Sequence, residues 1–200
     1  QKDVAEGMKH ATLAVELDDR LELGHATLAQ LMTIQGREAD ARDALARAKA
    51  LNDNDALAYS VQTFINLFQP EPDTHEMEAA GLEAVRLSPQ DPLAWSFHWM
   101  LVMSIWLRDM ELGENVRHYL DPAARLPGAE TFVHIAVAVT ALKRDDDVAA
   151  RRALENALAV RPNLTLHTIQ HAFHFPKWPA LVAGVAPQLE ALVSMGLPRD

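Results

Sequence analysis

The sequence of 200 residues contains no cysteine. That absence excludes a disulfide framework, a zinc–thiolate site and a cysteine nucleophile together. It suits a reducing compartment, and a cytoplasmic location is the expectation. Basic residues are in deficit, 18 against 28 acidic ones, for a net charge of −10. They are scattered rather than gathered into a stripe, so general nucleic-acid binding is not expected. Apolar runs fall short of the roughly 18 to 20 residues of a membrane span. The longest, around Trp99 to Leu107, is interrupted by Ser104 and stops at Arg108. The start lacks the n-region and h-region of a secretory signal. It also begins with Gln1 rather than methionine, which points to a piece of something longer. There is no Gly-Lys-Ser/Thr phosphate loop, no Gly-x-Ser-x-Gly elbow and no His-Glu-x-x-His. The chain is therefore expected to be non-catalytic and to carry no cofactor.

What is present is repetition. A small residue, a gap of 12 to another alanine, and steps of 4, 3 and 5 occur twice: Ala29, Ala41, Leu45, Ala48, Asp53 and Ala138, Ala150, Leu154, Ala157, Pro162. Gly7, Ala11, Ala14 and Asp19 form a half copy 34 residues before Ala41, Leu45, Ala48 and Asp53. A looser copy reads Met77, Gly81, Ala84, Pro89. The terminators Asp19, Asp53, Pro89, Pro127 and Pro162 lie 34, 36, 38 and 35 residues apart, the period of a helix-turn-helix repeat. Small residues let two helices approach closely. Pro89 and Pro162 stop a helix because proline lacks a donor and clashes with the preceding turn. Asp19 and Asp53 are expected to cap the helix that follows, and Gly36 to supply a positive φ between the helices of its repeat.

This pattern resembles the tetratricopeptide repeat over about residues 4 to 162. The bulky aromatic early in that repeat's first helix appears as Tyr59 and Trp95, but is His25 and His134 elsewhere. The resemblance implies an all-α protein, a right-handed α-solenoid of antiparallel helix pairs with a C-terminal capping helix. Its parts would be a partial repeat 1–19, repeats at about 20–53, 54–89, 90–127 and 128–162, and a non-repeat cap 163–200. Helices are expected near 4–18, 22–35, 38–51, 56–68, 74–87, 92–107, 110–121, 129–143, 146–160, 164–173 and 179–195, with Pro122 kinking or shortening the seventh. In the tail, Leu181, Val182, Val185, Leu189, Leu192 and Val193 recur at helical spacing and should bury one face; Pro187 should kink or divide that helix. The phrases Leu51-Asn52-Asp53-Asn54-Asp55-Ala56 and Arg86-Leu87-Ser88-Pro89-Gln90-Asp91-Pro92, with Gly196-Leu197-Pro198 at the close, are similar to the C-terminal repeat region of bacterial signalling proteins. In those proteins the region follows either a class III adenylate or guanylate cyclase domain or a winged-helix DNA-binding domain.

In such an array the first helix of each repeat lines an inner groove. Register then puts Leu57, Phe64, Leu67, Met100, Met103, Phe132, Ile135 and Val139 on or near it, while Leu23, Ala26, Gln30 and Thr33 line its start. Lysine, arginine and asparagine carboxylate clamps are missing from these positions. An apolar groove suits a protein or peptide partner, a domain of the parent protein, or a second copy of the chain, with no nucleic acid and no membrane involved directly. The methionines suit an adaptable surface. Burial of the same residues by tight curvature is the competing reading. Trp95, Trp99 and Trp106, which cluster with His98, Met100 and Met103, are expected to pack in the core. Asp145-Asp146-Asp147 should open a helix, where acidic residues favour the dipole. His167, His171 and His174, at i, i+4 and i+7, are the alternative site: a metal or small-ligand sensor. No glutamate or other carboxylate accompanies them, so packing or plain exposure is the favoured account.

Overall fold

The computed structural model describes residues 2–108, 114–172 and 179–200. The protein is all-α: the described residues form eleven helices and no strand. They are α1 (Lys2–Leu17), α2 (Glu22–Ile34), α3 (Glu38–Leu51), α4 (Ala56–Leu67), α5 (Thr74–Leu87), α6 (Ala94–Arg108), α7 (Glu114–Arg125), α8 (Thr131–Leu142), α9 (Asp147–Val160), α10 (Leu166–Ala172) and α11 (Pro179–Ser194). The chain divides into two compact units, Gln1–Ser104 and Ile105–Asp200. In the first, α2 packs on α1, α3 and α4, and α4 packs on α3 and α5. In the second, α8 packs on α7, α9 and α11, and α11 also meets α9.

One buried triple explains why these helices sit where they do. Ala41, Leu45 and Ala48 of α3, Met77 and Ala84 of α5, and Ala150, Leu154 and Ala157 of α9 are all 8% exposed or less, and Gly81 is buried between its two partners. The spacing i, i+4, i+7 puts three side chains on one stripe, and their small size lets the neighbouring backbone come close. At Gly81 the fit is tight: an added Cβ would meet Leu101 at 3.3 Å on the side chain and 3.4 Å at Cα. Ala26, Ala29, Ala58, Val61 and Ile65 complete the core around the α3 triple.

The same turn closes α2 and α8, 109 positions apart. Gly36 has φ 74° and Asp145 has φ 59°. After α2, the Arg37 N–H donates to the Met32 carbonyl (2.9 Å) and the Gly36 N–H to that of Thr33 (3.0 Å). After α8, the Asp146 N–H donates to the Ala141 carbonyl (3.0 Å) and the Asp145 N–H to that of Leu142 (3.2 Å). This crossed pair of bonds satisfies carbonyls that a helix end otherwise leaves open. Glycine takes the left-handed conformation without cost; aspartate is among the few other residues that visit it. The turn recurs after α11, where Gly196 has φ 119° and the Leu197 N–H reaches the Leu192 carbonyl at 3.0 Å.

Three expectations need correction. Asp19 and Asp53 do not cap the next helices. The residue before α2 is Leu21, with no side-chain cap, and α4 is capped by Asp55, whose carboxylate accepts from the Leu57 N–H. The residue that precedes each helix lies two positions beyond the aspartate, which leaves the Asp53 carboxylate to accept from the Tyr59 hydroxyl instead (3.3 Å). Second, α7 is not cut short by Pro122. Residues 110–113 lie outside the described part, and from Glu114 the helix runs through Pro122 to Arg125. Val116, Leu120 and Ala123 are fully buried, repeating the triple of α9 at an offset of 34, and this burial carries the helix past the missing donor. Third, Pro187 lies inside α11 without dividing it, held by the buried Val185, Leu189 and Leu192. The side chains of Leu181 and Val182 lie outside the described part, and Val193 is half-buried.

The tail folds back on itself. The Leu166 and His167 N–H groups, orphan donors of the first turn of α10, reach the Pro198 and Arg199 carbonyls at 2.8 and 3.1 Å. The Thr165 hydroxyl accepts from the Thr168 N–H, and the Arg199 guanidinium donates to both oxygens of Glu190.

Candidate interaction surfaces

The apolar residues assigned to an inner groove separate into two classes of exposure. Leu57, Phe64 and Phe132 are half-buried, whereas Leu67, Met100, Met103, Ile135 and Val139 are buried. In the first unit, Leu57 packs against the α3–α4 core and the Phe64 ring lies 4.8 Å from that of Phe68, tilted by 51°. In the second, Ile135 and Val139 line a narrow apolar cavity of about 10 Å³ with Trp106, Ala136, Ile169, Val185 and Leu189. That is space for about one water molecule, and apolar walls of this kind stay dry. Trp106 is buried there, and Trp95 and Trp99 are half-buried. At the start of the array Ala26 and Thr33 are buried, Gln30 is half-buried and Leu23 is exposed. Among the described residues the largest exposures of apolar side chains lie elsewhere, at Leu17 and Val148.

The tail histidines make a pair. His167 and His171 are exposed, with ring centroids 4.0 Å apart and planes at 33°. His174 lies outside the described residues. Among the described residues no group of three potential metal ligands converges. Of the two histidines at the aromatic position, His25 shares a hydrogen bond with the Asp19 carbonyl (2.9 Å) on the surface. His134 is buried, and burial holds its imidazole below the ordinary range.

A third surface has no motif in the sequence. It is a cleft of about 270 Å³ lined by α3, α4 and α5. The Lys49 ammonium donates to the Gln62 amide oxygen (2.6 Å) and sits 3.9 Å from the centre of the Tyr59 ring. The Gln62 amide nitrogen donates to one oxygen of Glu76 (2.9 Å), and the Asn66 amide to the other (2.7 Å). The Asn66 oxygen in turn accepts from the Asp73 N–H (2.9 Å). Sequence reading misses the cleft because its residues come from three helices and share no periodicity. The i, i+7 pair Arg42 and Lys49 on one face of α3 was the available signal.

No protein-family model matches the chain, and no curated protein matches it. No helix among the described residues is long and apolar enough to cross a membrane.

Proposed function

We propose that this chain is a tetratricopeptide-like α-solenoid of antiparallel helix pairs that works as a protein-interaction and regulatory module. The observation that carries the architecture is the turn shared by Gly36 and Asp145, with the same bonds and each followed five residues on by the same buried triple. A turn of this kind, joining helices that pack on each other, supports an antiparallel pairing of α2 with α3 and of α8 with α9. The functional part rests on Leu57, Phe64 and Phe132, large apolar side chains that stay half-exposed on first helices of their pairs. Leu57 and Phe64, seven residues apart on α4 of the first unit, suit the apolar face of an amphipathic helix, which anchors through residues at i, i+3, i+4 and i+7. Leu67, Met100 and Met103 in the first unit and Ile135 and Val139 in the second are buried and belong to the scaffold. The parent, on the strength of the sequence resemblance, is a bacterial signalling protein whose effector is a nucleotide cyclase or a winged-helix domain.

Fluorescence anisotropy with a panel of labelled amphipathic helical peptides tests the groove. Leu57→Glu and Phe64→Glu should each weaken the peptide bound by the unaltered chain about tenfold, with helicity unchanged. Equal affinity in both variants overturns the groove. Nucleotide cyclase turnover by the chain itself would overturn the non-catalytic reading.

A further inference from the structure

We propose that the cleft between α3, α4 and α5 binds a free aliphatic α-amino acid in its zwitterionic form. Its lining has the three chemistries such a ligand needs. Arg42 and Lys49 of α3 are cations, Glu76 of α5 is an anion, and Leu45, Ala46 and Ile65 supply an apolar wall. The Gln62 amide stands between the two signs of charge, and the Asn66 amide holds the other oxygen of Glu76.

Both central charges are satisfied only by neutral partners. Among the described residues neither Lys49 nor Glu76 makes a direct ion pair; each is held by amides. Charge-assisted bonds to an opposite ion are stronger than bonds to an amide. Burial lowers the Lys49 pKa, outweighing the attraction of Asp53, Glu76 and Glu83. An ammonium that has lost water in this way gains most from a carboxylate.

The Gln62 side chain shows the spacing that fits. Its oxygen accepts from Lys49 at 2.6 Å while its nitrogen, on the same carbon, donates to Glu76 at 2.9 Å. A ligand must therefore present an acceptor and a donor close together, one toward each charge. An α-amino acid does so with full charges, its carboxylate and ammonium separated by a single carbon. It replaces Gln62 and leaves its side chain against Leu45, Ala46 and Ile65.

Charge and size exclude the rivals. A phosphate or dicarboxylate brings negative charge to Glu76, and a polyamine brings positive charge to Arg42 and Lys49. A neutral sugar leaves both ions unpaired. At about 270 Å³ the cleft falls just under the range of drug-sized sites, so the occupant is small.

Titration calorimetry of the whole chain with L-leucine, N-acetyl-L-leucine and L-leucinamide is the test. Leucine should bind at one site. Blocking its amine or its carboxylate should weaken binding about tenfold or more. Glu76→Gln and Lys49→Met should do the same with unchanged helicity. Arg42→Gln, at an exposed position, carries the test should either of those variants lose its fold. Absence of leucine binding up to its solubility limit overturns the proposal. Equal binding of either blocked form, or of leucine by well-folded Glu76→Gln, also overturns it.

Discussion

Replacing Gly36 by alanine separates the cost of left-handed backbone from every packing effect. Gly36 holds φ 74°, and a Cβ built there meets nothing within 4 Å. No steric contact is therefore gained or lost. A residue with a Cβ costs roughly 1–2 kcal/mol in this conformation. Removing glycine also restricts the unfolded chain, which returns about 0.4–1 kcal/mol. The net expectation is a loss of about 1 kcal/mol, or roughly 2–4 °C in Tm for a chain of this length. Urea unfolding followed by circular dichroism measures it as a lower midpoint at constant slope. Gly36→Asp should lose less than Gly36→Ala, because Asp145 takes the same conformation in the matching turn. Asp145→Gly should change stability by no more than about 0.5 kcal/mol, since the relief and the added unfolded freedom oppose each other. An alanine variant as stable as the parent, or an aspartate variant worse than alanine, refutes the reasoning.

Asp55→Ala should cost about 1 kcal/mol by removing the cap of α4, while Asp55→Asn keeps the cap and sheds a charge whose pKa burial raises; equal losses in urea unfolding would contradict this. Gly81→Ala should destabilise by about 1–3 kcal/mol, because its Cβ meets Leu101 at 3.3 to 3.4 Å, and thermal melting reads the loss. For His134 the folded pKa lies below the unfolded value of about 6.5, so its contribution is present above that pH and is lost as the unfolded chain takes up the proton on acidification. Stability measured in steps from pH 7.5 to 5 should fall for the parent and fall less for His134→Phe; parallel curves would remove His134 as the cause. Zinc titrated into the parent and His171→Ala should give the same heat, and a difference between them would revive the tail histidines as a site.

The helices were legible because their signal is local and periodic. α3, α5 and α9 start three residues before the first member of the small-residue triple, and α3 and α5 lie where the spacing predicts them. The triple of α7 was hidden because it reads Val116, Leu120, Ala123 rather than alanines, with a proline inside it. Asp145 was read only as an acidic residue near a helix start; its left-handed backbone emerges from the matching bonds, which residue type does not announce. The interaction surfaces were less legible still. Register assigns Met103 and Val139 to a face, but only packing determines that they are buried while Phe64 and Phe132 keep exposed area. The polar cleft depends on three helices meeting, and no single stretch of sequence carries that information.

The clasp between α10 and residues 198–199 sets an order of events during synthesis. α10 has seven residues, and helices much shorter than about 12 are marginal alone. Two of its first donors find acceptors only at Pro198 and Arg199, more than 30 residues later. Chains fold as they emerge, earlier parts first. The helices before α10 can therefore settle while it is still unfinished, and the tail of the domain locks in one late step, when the Gly196-Leu197-Pro198-Arg199 segment closes over it.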